Sequence, residues 1–495
     1  MDNNTLSVSN LLGKYTAFGY QAATYSRDAV GSVAPLFTTI DYHNRPDLPA
    51  LRARLQQLER DNSTFLNLIN RAVANILGNG FLLNANTGDP ELDQRIEDYW
   101  YSWCKSPENS DKFSFTQLEQ LVLRHILIDG DLALIKTNTG KLSFIEADRI
   151  YSPSVKSGDG NRIESGIELD ELGKPLRYYI AGSMNGRINL GSTKPYDAKD
   201  VIFLGNFTRG NQTRGVSPLV AVIPILMMLE DILTSEAISR QLQARIALII
   251  NRANADSRAF DESTEDPSKT GSEQIPARYT ETDKALMFHG EHGDSVTGMQ
   301  RTAPGTDIDK VVDTYLSQIG AVLGLSLELM KLDYSGVNFS ASKASLAQSY
   351  TTFKQYQNLL IDRFHDAVYE WKLKDAVTKG LFPDKPSTFI HNWSVHNPPT
   401  IDPLKEAQAA GLNLQNNLTS EIELHNLLNK DTSQLIKQKM KYLENLYLEI
   451  QNFNKKFNTN LNFNDFINIE KKTTTVVNEP DEDTREDKED AEERS

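Results

Sequence analysis

Cysteine is almost absent from this chain of 495 residues, which contains only Cys104. A single cysteine excludes an intrachain disulfide and cannot by itself build a zinc site, so we expect a reducing compartment. Long apolar runs are also missing, because the most hydrophobic window, 216–229, contains Pro218 and Pro224 and then meets two acidic residues. The first ten residues lack the basic and apolar regions of a signal peptide. We therefore expect a cytoplasmic chain that does not cross a membrane.

Positive charge is in deficit, with 52 Lys and Arg against 67 Asp and Glu and a net charge of −15. This balance argues against a surface that binds tightly to nucleic-acid phosphates. Part of the negative charge is local, since residues 479–495 contain ten acidic and three basic side chains. Such a block cannot bury apolar area, so we expect a solvated, disordered tail, with docking to a basic partner as the alternative.

The motifs of common enzymes are missing as well. A phosphate-binding P-loop needs a glycine, four residues and then Gly-Lys-Ser/Thr. The nearest stretches, 140–142 and 173–175, lack both the first glycine and the hydroxyl. The sequence also contains no GxGxxG after a strand, no HExxH and no GxSxG. We therefore predict no catalytic residues, no cofactor and no ATP-driven activity in this chain.

Two small polar clusters are candidates for metal or acid–base chemistry. His289, Glu291 and His292 lie in one short turn, but no nearby cysteine or third histidine completes a metal site. Asp129 and Asp131 offer paired carboxylates for Mg²⁺ or proton transfer. A turn that joins a helix to a strand favours these residues anyway. We predict an exposed loop and a structural turn, and no metal site.

Arg209 and Arg214 precede a predicted helix start at Ser217 and Pro218. Serine is a favoured N-cap and proline a favoured first residue, and the helix should continue to about Ile250. Arginines before a helix N-terminus can bind phosphate. The alternative that we favour is a structural or subunit-bridging role for this junction.

Elsewhere the pattern alternates between helices and one strand-rich region. Helices are predicted at 51–77 and after Ser114, which forms a capping box with Gln117. Five short strand-like runs with Gly and Asp turns occupy 131–204 and indicate a mainly antiparallel element. The polar stretch 252–283 is predicted to be a mobile insertion.

The most informative stretch is 324–350, where a hydrophobic helix end runs into a Gly/Ser/Asn-rich loop and then into a very long helix. This helix is predicted to continue to about Lys379, before Gly380 and Pro383. Its apolar positions recur every three, four or seven residues and form one stripe. The stripe consists of Leu346, Phe353, Tyr356, Leu360, Phe364, Val368 and Trp371. Rods of this length are unusual in enzymes and are typical of ring proteins that line a channel.

The chain resembles the phage portal proteins of the lambda family from about residue 45 to 450. The segments that carry the resemblance, in order, are LRARLQQLERDNSTFLNLINRAVANILGNGF, WYSWC, LIDGDLALIK, IEADRI, GIELDELGKPLRYYI, DVIFL, RGVSPL, IGAVLGLSLELMKLDYSGVNFSASKASL, PPTIDPLKEAQA and LTSEIE. Phe339, Ala341 and Lys343 stand where the family often has tyrosine, serine and arginine. These changes conserve shape and charge.

The resemblance implies an α+β, mainly helical fold with the wing, stem, clip and crown of a portal ring subunit. Carried onto this sequence, the parts are an N-terminal arm (1–44), a wing of helices and antiparallel strands (45–215), a stem helix (216–250), a clip with the polar insertion (251–306), a second stem helix (307–330), a tunnel loop (331–343), a long helix with the wing return (344–401), a helical crown (402–458) and an acidic tail (459–495). Arg209, Arg214, Ser217 and Pro218 would mark the junction of wing and stem.

The resemblance also implies a function without enzymatic chemistry. A dodecameric ring at one capsid vertex would nucleate procapsid assembly with the major capsid and scaffold proteins, and it would dock the large subunit of terminase. Double-stranded DNA would pass through its lumen during packaging and ejection, and head-completion and tail proteins would bind later. The protein would be found in the virion, and in the host cytoplasm during assembly.

We expect the loop to contact DNA weakly while the acidic wall keeps the polyanion sliding. The residues of this hypothesis are Lys331, Ser335, Gly336, Asn338, Ser340 and Lys343. Two alternatives remain at this point: a nucleic-acid enzyme such as a nuclease or the packaging motor, and a capsid or tail protein that is not a portal.

Overall fold

A computed structural model describes residues 39–153, 161–245, 248–250, 279–282, 285–289, 307–334, 339–397, 403–427, 432–457 and 459. The chain forms two compact units, Met1–Leu418 and Thr419–Ser495. Residues 1–38 of the predicted N-terminal arm, most of the polar insertion and the acidic tail except residue 459 lie outside the described residues. Residues 40–44, which were predicted to belong to the arm, are helical and form the start of α1.

The described part of the first unit is mainly helical. Its α-helices are α1 (Ile40–Asp61), α2 (Ser63–Leu77), α3 (Pro90–Cys104), α4 (Phe115–Ile128), α5 (Val222–Arg245), α6 (Asp307–Ala321), α7 (Leu327–Lys331), α8 (Phe339–Leu360), α9 (Asp366–Thr378) and α10 (Pro403–Gln415). Short 3₁₀ turns occur at Ala147–Arg149, Ala198–Asp200, Pro218–Ala221 and Pro386–Phe389. Together with the sheets below, these helices give the predicted α+β class.

Twelve strands in the described residues form four small sheets. The strands are β1 (Leu82–Ala85), β2 (Asp131–Lys136), β3 (Leu142–Glu146), β4 (Arg162–Glu164), β5 (Ile167–Leu169), β6 (Pro175–Met184), β7 (Arg187–Asp197), β8 (Val201–Gly205), β9 (Leu248–Ile250), β10 (Tyr279–Thr282), β11 (Ala285–His289) and β12 (His391–Ser394). The sheet orders are β1-β12, β3-β2-β8, β4-β5-β6-β7 and β10-β11-β9. Every pair is antiparallel except β9 with β11.

The strand-rich region lies where the sequence predicted it, and its pairing is antiparallel throughout. β2 is the central strand between β3 and β8, with Leu132 opposite Glu146 on one side and Leu204 on the other. Its burial is continuous from Asp131 to Ile135. One face packs on the helices, and the other joins a smaller core with β5 and β6.

The long helix is present, begins a few residues earlier than predicted and ends one residue before Lys379. α8 and α9 are joined without a break by a π-turn (Ile361–His365), so the rod runs from Phe339 to Thr378. Phe353, Leu360, Phe364 and Val368 of the predicted stripe are fully buried. The other three stripe residues pack partly buried against the same core. The sequence did not predict the π-turn.

The predicted stem helices differ from the observed ones. The first begins as a 3₁₀ turn at Pro218–Ala221 and ends at Arg245, because 248–250 pair with β11 as a strand. The second ends at Ala321, and α7 starts anew at Leu327. Gly324 between them has φ +71, a conformation that interrupts a right-handed helix. The helix that the sequence predicts from Asp307 to about Leu323 is therefore present, and only the extension of the second stem segment to residue 330 as one continuous helix was wrong.

One stretch within the described residues, Pro218–Gln241, is long and apolar enough to cross a membrane. The buried core helices of soluble proteins meet the same criterion, and Leu219, Val222, Leu226 and Leu229 of this stretch are core residues. Length and composition therefore give only weak evidence for a membrane here.

The second unit contains α11 (Glu421–Leu427) and α12 (Thr432–Phe457). The spacing of Ser420 and Glu423 in the sequence predicts a capping box. It is present: Ser420 Oγ accepts from the Glu423 N–H at 3.1 Å, and Glu423 accepts from the Ser420 N–H at 3.1 Å. Of the predicted crown, α10 therefore belongs to the first unit, and α11 and α12 belong to the second.

Candidate nucleic-acid interface

The predicted tunnel loop is shorter than its expected bounds of 331–343. Lys331 is the last residue of α7, and Leu332 caps that helix in the left-handed conformation with φ 55. α8 begins at Phe339, so Ser340 and Lys343 lie in its first turns rather than in a loop. Ser335, Gly336 and Asn338 lie outside the described residues. The prediction extended the loop to Lys343 because Ser340 is small and polar. Ser and Ala in 340–347 are nevertheless compatible with a helix, so the predicted end of the loop was wrong.

α7 is fixed by local caps and by the core beneath it. The Ser326 side chain accepts from the Leu329 N–H at 3.4 Å and starts the helix. Leu329 and Met330 are buried, and the Asn67 side chain donates to the Met330 carbonyl at 2.8 Å. These contacts set the point from which the chain leaves towards 335–338.

Lys331 is paired with a carboxylate of its own chain. Its Nζ lies 2.8 Å from Asp313 Oδ1 on α6, and both side chains are about one-third exposed. This hydrogen bond raises the pKa of Lys331 above its ordinary value, so the ammonium stays charged. The positive charge at the start of the loop is therefore partly neutralised before any ligand arrives.

Lys343 has a similar but longer contact on the other side of the loop. Its Nζ lies 3.8 Å from Glu406 Oε1 on α10, and both side chains are exposed. At this distance and exposure the pair contributes little to stability. Both predicted DNA-contacting lysines thus have an acidic neighbour within the chain.

A third polar contact ties α7 to the long helix. The Ser345 hydroxyl donates to Glu328 Oε2 at 3.3 Å. Burial alone would raise the pKa of Glu328, but hydrogen bonds from Ser326, its own N–H and Ser345 hold it below its ordinary value. The two helix ends that flank 335–338 are therefore joined directly.

At the junction predicted around Arg209, Arg214, Ser217 and Pro218, Arg214 is the buried centre. Its Nε donates to Asp131 Oδ2 at 2.7 Å and its Nη2 donates to Asp131 Oδ1 at 2.8 Å. The remaining guanidinium N–H groups donate to the carbonyls of Ala147, Ile150 and Ser165. All five donors are used inside the subunit, so Arg214 is structural, as favoured from the sequence.

Arg52 completes this cluster from α1. Its Nη2 donates to Asp131 Oδ1 at 2.9 Å, and its Nε donates to the Asp129 carbonyl at 2.8 Å. Burial alone would raise the pKa of Asp131, but the charges of Arg214 and Arg52 and a hydrogen bond from Gly215 hold it below its ordinary value. A fully buried carboxylate with these partners has no open position for a metal or a substrate.

The other junction residues have different roles. Ser217 Oγ donates to the Leu127 carbonyl at 2.5 Å and accepts from the Leu219 N–H at 3.0 Å, which confirms the predicted N-cap. Pro218 follows as the first residue of the 3₁₀ turn. Arg209 is exposed and lines an open groove of about 930 Å³ together with Phe207 and Arg363.

Sequence reasoning missed several buried polar groups, and Arg52 and His365 are two of them. Arg52 carried no local motif, since its partner Asp131 is 79 residues away. His365 in the π-turn also has a distant partner, with its Nε2 2.7 Å from Glu119 Oε1 and both side chains buried. Among the described residues, no group of three His, Cys, Asp or Glu is placed to hold a metal ion.

Comparison with known proteins gives one family. The model of the lambda family of phage portal proteins matches residues 31–357. The chain is 22% identical over 438 residues to portal protein B of Escherichia phage lambda, which covers 78% of this chain and 82% of that protein. It is 21% identical over 425 residues to the portal protein of Escherichia phage N15, covering 76% and 80%.

A third relative is matched over less of its length. The chain is 21% identical over 339 residues to the probable portal protein of Halomonas phage phiHAP-1, covering 65% of this chain and 64% of that protein. The chain thus spans a little less than two thirds of this relative.

Solved structures give weaker likenesses. A chain from the virion of a native gene transfer agent particle is 11% identical, with a TM-score of 0.40 and coverage of 77% of this chain and 93% of that one. An HK97 family phage portal protein from Corynebacterium diphtheriae is 11% identical, with a TM-score of 0.29 and coverage of 72% and 96%. The assignment therefore depends on the sequence family, whose model spans two thirds of the chain, from before α1 to near the end of α8: this chain belongs to the lambda family of phage portal proteins.

Proposed function

We propose that this chain is one subunit of a dodecameric ring at a unique capsid vertex and that double-stranded DNA passes through the ring during packaging and ejection. The observation that carries the proposal is the match of the portal family model to residues 31–357. The ring is non-enzymatic: it nucleates procapsid assembly with the major capsid and scaffold proteins. It also docks the large subunit of terminase and later the head-completion and tail proteins.

Within this proposal, the helices and sheets before residue 216 form the wing, and α5 and α6 form the stem. The strands β9, β10 and β11 belong to the clip, which meets terminase. The segment between α7 and α8 lines the tunnel, the rod made of α8 and α9 crosses the wing, and α10 to α12 form the crown. The protein is then a component of the virion, located at the portal vertex.

Exposed apolar side chains on the two helices of the proposed stem support assembly into a ring. Met227, Met228, Leu233 and Ile238 of α5 are exposed, as is Val311 of α6. Exposed apolar residues that recur along one helix pair are typical of surfaces that other subunits cover.

The electrostatics of the loop segment fit a conduit better than a tight binding site. Lys331 and Lys343 offer positive charge on both sides of 335–338, but each has a carboxylate within 4 Å. DNA affinity grows with the number of phosphates that a protein neutralises. Two lysines whose charge is partly neutralised by nearby carboxylates, on a chain of net charge −15, would bind DNA only weakly, so DNA would dissociate from them easily.

The proposal is tested by packaging assays with procapsids built from charge-reversed subunits. Lys331→Glu/Lys343→Glu should impair packaging or genome retention, because acidic side chains would repel the DNA from the loop. Normal packaging by this variant would contradict the role of the loop.

A further inference from the structure

An open groove of about 590 Å³ lies beside the first turns of α1, and we call it the α1 groove. Residues 45, 48, 49 and 52 of α1 line it, and their i, i+3, i+4, i+7 spacing places them on one face of the helix. Segment 150–152 and residues 188 and 190 of β7 also line it. The buried Arg52 and Arg214 lie at its base, so the groove opens onto the ion cluster around Asp131.

The described part of the chain leaves apolar side chains of the α1 groove exposed. Tyr151, Ile188 and Leu190 are 47%, 41% and 47% exposed, and Pro49 on α1 is exposed as well. Large apolar side chains that gather in one concave surface mark a place that another segment or molecule covers. A cover would also act on the ion cluster at the base, because opposite charges attract more strongly where water is excluded.

The chain enters α1 within reach of this groove. α1 begins at Ile40, and its N-cap Thr39 has an extended backbone. Along the helix axis, Arg45 and Pro49 lie about 9 Å and about 15 Å from Thr39. The eight residues 31–38 span about 26 Å when extended, so a chain that turns back at Thr39 reaches every part of the groove.

Residues 31–38 have the composition that an apolar groove takes. They contain Val33, Leu36 and Phe37 and no charged residue. Residues 1–30 also contain leucines and aromatic side chains, but the match to the portal family model starts at residue 31. The family similarity therefore includes the segment next to α1 and excludes the residues before it.

Other occupants fit the α1 groove less well. Residues 154–160 follow Ser152, which lines the groove, but Val155 is their only large apolar residue. A second copy of the chain would have to bring its side chains from solution. Residues 31–38 are tethered to the wall of the groove and have a high effective concentration there.

We propose that residues 31–38 turn back at the start of α1 and lie in the α1 groove of the same chain, with their apolar side chains against the exposed apolar side chains of the groove. The segment then closes the groove and keeps water from the Arg52–Asp131–Arg214 cluster. The proposal concerns a single chain and does not depend on the ring proposed above.

Photo-crosslinking in the full-length protein tests the position of the segment. The photoreactive residue p-benzoylphenylalanine replaces Leu190, and the sample is a mixture of ¹⁵N-labelled and unlabelled chains. After irradiation, tandem mass spectrometry should locate crosslinks in residues 31–38, with the same isotope in both linked peptides. The matched control carries the photoreactive residue at Leu172, which is 95% exposed in the turn between β5 and β6 and does not line the groove. It should give no crosslink to 31–38.

Hydrogen exchange tests whether the apolar side chains hold the segment in place. In Leu36→Asp/Phe37→Asp, the backbone amides of residues 188–190 should exchange several-fold faster than in the unmodified chain. The matched control is Leu11→Asp/Leu12→Asp, which places two charges in the part of the arm outside the family match and should leave this exchange unchanged. The buried part of the rod, 353–368, should exchange equally in both variants, which shows that the fold is retained.

Four outcomes would overturn the proposal. Crosslinks that join a labelled to an unlabelled chain would assign the groove to a neighbouring copy. Crosslinks to residues 1–30 or 154–160 would assign it to another segment. The absence of crosslinks to 31–38 would leave the segment outside the groove, and equal exchange at 188–190 in the two variants would show that Leu36 and Phe37 do not hold it. Each of these outcomes leaves the proposed ring unaffected, because rings are detected separately by electron microscopy.

Discussion

The ammonium of Lys331 lies 2.8 Å from the carboxylate of Asp313, at the point where α7 ends and the chain leaves for the loop. The basic residue at the entrance of the proposed tunnel segment is therefore already engaged. DNA phosphates must compete with this carboxylate, which favours brief contacts over stable ones.

Charge reversal at Lys331 and Lys343, which flank residues 335–338, should reduce packaged DNA several-fold. The neutral variant Lys331→Gln/Lys343→Gln should retain more packaging than Lys331→Glu/Lys343→Glu, because it removes attraction without adding repulsion. The measurement is the amount of nuclease-protected DNA per procapsid. Lys374→Glu/Lys379→Glu is the control, since Lys374 on α9 and Lys379 at its C-terminal cap are exposed and pair with acidic residues of α9. An equal loss in this control would assign the effect to net charge alone.

Removing the carboxylate of Asp131 should destabilise the first unit strongly. Asp131→Asn leaves two buried arginines without their shared anion, and breaking a buried ion pair from one side costs about 3–5 kcal/mol. The control is Asp111→Asn, which breaks the exposed contact with Lys141 and should change the free energy of unfolding far less than Asp131→Asn does. Urea titration followed by tryptophan fluorescence measures both. Equal effects would contradict the structural role of the Arg52–Asp131–Arg214 cluster.

The lowered pKa of Asp131 predicts that the fold loses part of its stability in acid. The pKa of Asp131 is lowered in the folded chain from an ordinary value of 3.8. Its stabilisation is therefore fully present above about pH 4 and is lost as the pH falls below 3.8 towards the folded pKa. Unfolding free energies of the native chain should decrease more steeply over this acid range than those of Asp131→Asn. If the two unfolding free energies decreased in parallel with pH, Asp131 would not contribute to the acid sensitivity.

Replacing Gly324 with alanine should destabilise the fold more than the same replacement at Gly173, which also has a positive φ but has no described atom close by. Both Gly324 and Gly173 have positive φ, so alanine at either position is strained by on the order of 1 kcal/mol. A Cβ at Gly324 would lie 2.5 Å from Thr352 Cβ on α8, whereas one at Gly173 would meet no described atom within 4 Å. Gly324→Ala should therefore lower the melting temperature further than Gly173→Ala. Equal shifts would show that the close approach of α8 is not limiting.

Local signals in the sequence predicted much of this fold. The Ser114–Gln117 capping box, the Ser217 N-cap and the Ser420–Glu423 box are all present, because each depends on residues within three positions. The rod was predicted from its apolar period. These features need no knowledge of tertiary contacts.

The misses depend on contacts between distant segments. Arg52 meets Asp131, and Glu119 meets His365 across 246 residues, so no local pattern marks either pair. Thr352 lies close to Gly324, so that only a residue without a Cβ fits there, and this contact joins segments 28 residues apart. α8 starts at Phe339, earlier than the small, polar residues indicated. The roles of the loop residues remain predictions, and Ser335, Gly336 and Asn338 lie outside the described residues.

The central claim is that copies of this chain form a ring around a DNA passage. Two-dimensional electron-microscope averages of the purified full-length protein test it most directly. The account predicts rings with a central hole. Hexamers of a capsid type, tubes or only monomers would contradict it.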